Sequence, residues 1–159
     1  MKSLKTLVIT IHLVLLYSCQ DDWLKRCEDD NSKQVDFKDL RIEGIRECVL
    51  QNIDNSSKEV NKKLDNRDDL EKHLNCSYEG LEYEFDFEEY FILTGKFSHH
   101  QCAGLMGHTV FICNSKLVYQ VNIVQLDCQA FETVYYGVLV PRIYQDLSVV
   151  FDVQFDTSL

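Results

Sequence analysis

Positive charge is in short supply in this chain, with 16 Lys and Arg against 26 Asp and Glu. A field of that sign repels phosphate backbones and anionic headgroups, so no nucleic-acid partner is expected. A solvated acidic surface explains the charge, and a cationic partner would also suit it. The apolar run Leu7 to Tyr17 carries His12 and is about half the ~20 residues a spanning helix requires. No Gly-x-Ser-x-Gly, His-Glu-x-x-His or Cys-x-x-Cys occurs. These are the motifs of a nucleophile elbow, a zinc-protease helix and a dithiol centre, so no catalytic residue and no cofactor is assigned. Proline occurs once, as Pro141, and its missing N–H marks the end of a strand.

The front of the chain does carry a signal. Lys2 and Lys5 precede the short apolar run, the pattern of an export leader, which predicts residues 1–18 as a signal peptide. Removing them takes away two lysines and no acid, so the net charge of −10 becomes −12. An ordinary cleavage site wants a small residue where Leu16 stands. Leu16-Tyr17-Ser18-Cys19 instead resembles the lipobox of bacterial lipoproteins, in which the cysteine is acylated. The acidic Gln20-Asp21-Asp22-Trp23 resembles the tails of lipoproteins from Bacteroidetes-like bacteria. The resemblance implies a lipid on Cys19 that anchors the chain to the membrane, with residues 19–34 as a polar tether. The alternative is an unmodified Cys19 in a secreted chain.

Setting Cys19 aside leaves Cys27, Cys48, Cys76, Cys102, Cys113 and Cys128. An even set in an exported chain reads as disulfides. Cys102 and Cys128 sit in loops flanking one hairpin and are expected to pair, while the other connections stay open. The competing reading is a metal site built on His99, His100 and His108, since imidazole and thiolate both ligate zinc or copper. Adjacent histidines in a strand point to opposite faces, however, which argues for a polar loop instead.

The rest divides into a helical stretch, 36–75, and a β-rich stretch, 82–156, within one domain spanning 35–159. Asp36 is a candidate cap for a helix with Ile42, Ile45, Val49 and Ile53 at spacings of three and four. Asn66 caps a second, with Asp68, Asp69 and Glu71 in its first turn. Tyr83, Phe85 and Phe87 alternate with acids, as a strand would. Thr109 to Cys113, the turn residues Asn114 and Ser115, and the alternating Leu117, Tyr119, Val121 and Ile123 predict a hairpin. Thr133 to Val140 and Val149 to Phe155 predict two more strands, and the aromatics Tyr83, Phe85, Phe87, Tyr135 and Tyr136 read as sheet core. The link Ser98 to His108, with Gly104 and Gly107, reads as a mobile loop. The fold class is α+β, mainly β: an antiparallel sheet or small sandwich of about six strands, with one or two N-terminal helices packed on it.

The segments Asn66 to Leu74, Phe85 to Leu93, Tyr136 to Arg142 and Val149 to Phe155 are similar to the β-rich domain of an accessory subunit in a bacterial surface protease complex. That resemblance carries no active-site residues. The expected function is a non-catalytic binding or accessory module of the cell envelope, lipid-anchored at the outer membrane, with an envelope protein as possible partner. Alternatives are an inhibitor of a secreted hydrolase, a metal-binding protein, or an enzyme using its histidines as acids or bases.

Overall fold

The hairpin read from Thr109 to Ile123 lies at the centre of the structure, a computed structural model that describes residues 32–40, 48–75 and 85–157. The chain divides into two units, Met1–Lys33 and Gln34–Leu159, and nearly all described residues belong to the second. In chain order the elements are β1 (Lys33–Gln34), β2 (Lys38–Asp39), β3 (Val49–Leu50), β4 (Glu59–Leu64), α1 (Arg67–His73) and β5 (Leu74–Asn75). There follow β6 (Tyr90–His99), β7 (Ala103–Cys113), β8 (Lys116–Gln125), β9 (Glu132–Pro141), a 3-10 turn (Arg142–Tyr144) and β10 (Ser148–Asp156). They form two four-stranded sheets, β1-β7-β8-β10 and β2-β9-β6-β4, and a ribbon of β3 and β5.

The two-residue period of the strands builds the core. Phe91, Leu93 and Phe97 of β6 and Tyr136, Val138 and Val140 of β9 pack against Val110 of β7 and Leu117, Tyr119, Val121 and Ile123 of β8. Full burial of a large apolar side chain contributes roughly 1.5–3 kcal/mol, so this layer is the main stabilising block. Val149, Phe151, Val153 and Phe155 of β10 close it while staying half-buried. The sheet containing β6 is covered on its second face too, where Leu40, Leu50, Leu64, Leu74 and Ile92 form a separate cluster. Double coverage is why β6 is buried without interruption from Phe91 to Phe97, the pattern of a strand between two layers. Close packing extends to Gly95, where a Cβ would collide with the ring of Tyr136, its partner in the β6–β9 register.

Several expectations need correction. Ten strands are described rather than about six, and of the two helices expected, the one capped by Asn66 is present among the described residues, as α1 between β4 and β5. The helix expected from Asp36 to Ile53 is replaced at both ends. Lys38–Asp39 pairs with Leu139 and Val138, and Val49–Leu50 pairs with Asn75 and Leu74, so long-range ladders override the helical spacing. Ile42 and Ile45 lie outside the described residues, as does Tyr83. Phe85 and Asp86 have no regular structure and Phe87–Glu89 is a turn, so no strand runs through them. The predicted loop Ser98–His108 is mostly strand: only 100–102 separate β6 from β7, and the glycines flank a bulge between Leu105 and Gly107 that turns Met106 outward. The strand Thr133–Val140 crosses to the other sheet, and β10 pairs with β8 in parallel.

Candidate functional site

The β7–β8 hairpin ends in a covalent staple. Cys102 and Cys128 form a disulfide across a sequence separation of 26, with Cα atoms 5.4 Å apart. Both residues flank the last register pair of the hairpin, Ala103 with Gln125, which brings their loops together as the sequence suggested. The backbone tightens the same corner: Leu126 N–H donates to Cys102 O at 2.8 Å, and Cys128 N–H donates to Leu126 O at 2.9 Å. Cys48 and Cys113 are disulfide-bonded as well. Cys19, Cys27 and Cys76 lie outside the described residues.

Beside this staple is a cup of about 370 Å³ lined by Gln101, Gln125, Leu126, Asp127, Cys128 and Gln129. That volume is at the lower end of the ~300–1,000 Å³ usual for small-molecule sites. Three carboxamides and one carboxylate therefore share one hollow. None of the four makes a side-chain hydrogen bond among the described residues. Leu126 is 43% exposed and rests on Gly104, giving the cup an apolar patch. Sequence reasoning missed this group because its members show no periodicity; only the pairing of Cys102 with Cys128 hinted that residues 101 and 125–129 would meet.

The candidate histidines are split. His99 and His100 sit together at the end of β6, ring centroids 4.1 Å apart, and His99 packs at a tilt against Phe155 at 4.4 Å. Gln101 N–H donates to His99 Nδ1 at 3.3 Å. Lys58 caps this aromatic group, with Nζ 4.7 Å from the Phe97 ring centroid. His108 belongs to β7 of the opposite sheet. Its Nδ1 lies 3.0 Å from Tyr119 Oη and its Nε2 3.4 Å from Asp39 Oδ2, with Phe37 edge-on against the ring. Among the described residues no group of three or more His, Cys, Asp or Glu gathers as metal ligands would.

Carboxylate, imidazole and hydroxyl in line resemble a proton relay. Here, though, Tyr119 is fully buried and the His108 side chain is only 7% exposed. A substrate has no approach to the hydroxyl, and the array instead ties β2, β7 and β8 together. The contact was legible in part. A two-residue turn at Asn114 and Ser115 places Val110 opposite Tyr119, so His108 is Tyr119's diagonal neighbour.

The opposite end is organised by Arg142. Its backbone N–H donates to Glu89 O, and its guanidinium donates to the carbonyls of Asp65, at 3.2 Å, and Phe87. An open depression of about 850 Å³ lies beside it, with Asp65, Asp86 and Glu88 on its rim. Asp86 is already occupied in accepting the N–H groups of Glu88 and Glu89, so this depression is a built turn before it is anything else.

Geometry thus defines a class: a two-sheet β-sandwich with an extra layer on one sheet and a disulfide-stapled polar cup at one end. Comparison of the chain with known protein families, curated proteins and solved structures returned no match.

Proposed function

We propose that the protein is an exported, lipid-anchored and non-catalytic binding or accessory module of a bacterial cell envelope. In this reading residues 1–18 are the leader, Cys19 carries the lipid, and the sandwich is held outside the cytoplasm to meet an envelope partner. The observation that carries it is the oxidised state of Cys48, Cys102, Cys113 and Cys128, because structural disulfides persist in exported proteins and are rare in the cytosol. The kinship with small bacterial lipoproteins belongs to the same proposal. Three features support a non-catalytic role: no catalytic motif in the sequence, the burial of Tyr119 and His108 in the array that reaches the surface only at Asp39, and the tilted ring contact between His99 and His100.

Mass spectrometry of the mature N-terminus is the test. The expected product begins at Cys19 and carries a diacylglyceryl group. A chain recovered from the cytosol with Met1 intact would overturn the proposal.

A further inference from the structure

We infer that the cup beside the Cys102–Cys128 disulfide binds a neutral carbohydrate, a reading that rests on the binding-module proposal and gives it a ligand class. Gln101, Gln125 and Gln129 each offer a donor and an acceptor, and Asp127 offers two acceptor oxygens. Sugar hydroxyls both donate and accept, so carboxamides match them group for group, and one carboxylate spans a vicinal pair. The apolar patch of Leu126 meets the C–H face of a pyranose ring. Phe131, 71% exposed, follows Gln129 by two residues on the same link, outside the residues that line the cup.

Charge narrows the choice. No basic residue lines the cup and the chain carries a net charge of −10, so anions are repelled. A single carboxylate is too little to hold a polycation. The backbone of the cup is held before any ligand arrives, by the disulfide and the bonds between Cys102, Leu126 and Cys128, while its polar side chains are ordered on binding.

The test is calorimetric titration of the full mature chain, in a detergent without a sugar headgroup, with maltotriose, cellotriose and triacetylchitotriose, and with spermidine as the cationic probe. At least one trisaccharide is expected to bind with Kd at or below ~1 mM. Gln129→Ala is expected to weaken it by ~3–10-fold and Asp127→Asn by more, in proportion to the hydrogen bonds lost. Three outcomes overturn the assignment: no trisaccharide binds at ~10 mM, spermidine binds and the sugars do not, or a Gln101→Ala/Gln125→Ala/Gln129→Ala variant with unchanged thermal unfolding binds equally well. If the sugars fail while the anchored chain still captures an envelope protein, the carbohydrate assignment falls and the binding-module reading stands.

Discussion

Gly95 shows how tightly single positions are constrained. It faces Tyr136 across the β6–β9 ladder, and the phenol lies over the space a side chain would occupy. Gly95→Ala is expected to destabilise the protein by about 1–3 kcal/mol through overpacking, measured by urea unfolding. Tyr136 in turn donates its hydroxyl to Asn61 Oδ1 at 2.7 Å. Burial pushes its ionisation above the ordinary tyrosine range, with the nearby Glu59 charge adding to the effect, so it remains a donor throughout the physiological range. Asp54 is the opposite case. Hydrogen bonds from the Ser56 hydroxyl and N–H, and from the Ser57 hydroxyl, hold its carboxyl below the usual value, with a smaller effect from Lys96. A depressed carboxyl stabilises the fold at every pH above its unfolded value and loses that contribution as pH falls through the folded one. NMR titration of the Asp54 carboxyl carbon should therefore show a midpoint below that of an unstructured aspartate, and Ser56→Ala should move it upward. An unmoved midpoint would remove Ser56 as the cause.

Among the elements, α1 and the β7–β8 turn rest on local chemistry and were readable in advance. Asn66 caps α1 by accepting the Asp69 N–H at 2.9 Å. Asn66→Ala should cost about 0.5–2 kcal/mol, visible as a lower urea midpoint with an unchanged m-value. Asn114 and Ser115 both have positive φ, 49° and 62°, as a type I′ hairpin turn requires. Serine tolerates that conformation poorly, so Ser115→Gly should raise stability by up to about 1 kcal/mol in the same assay. The alternation from Leu117 to Ile123 and the stop at Pro141 were legible because strand period and proline chemistry act over a few residues. The segment around Lys38 and Val49 was not, since its pairing partners, Leu139 and Asn75, are set by the folded sheets. The cup was illegible for a related reason. Glutamines carry no positional signal, and their meeting depends on a link between the two sheets that begins just after Gln125.

For the molecule as a whole, the disulfide between Cys102 and Cys128 is the clearest measurable contribution. Closing a loop of this separation restricts the unfolded chain by ~3–4 kcal/mol in the chain-entropy picture. A Cys102→Ala/Cys128→Ala variant should lose about that much on denaturant unfolding, and its sugar affinity should fall with the loosened cup. The remaining feature with wide reach is the parallel placement of β10 against β8, with β9 lying between them in sequence but in the other sheet. A chain emerging from a ribosome or a translocon presents Phe97, Tyr119 and Val121 well before Phe151 and Phe155 arrive to shield them. Biogenesis thus includes an interval in which a greasy sheet face stands bare, and pairing so distant in sequence forms slowly. A holding chaperone would guard that interval, making the stage before β10 docks, rather than the finished fold, the vulnerable one in this protein's life.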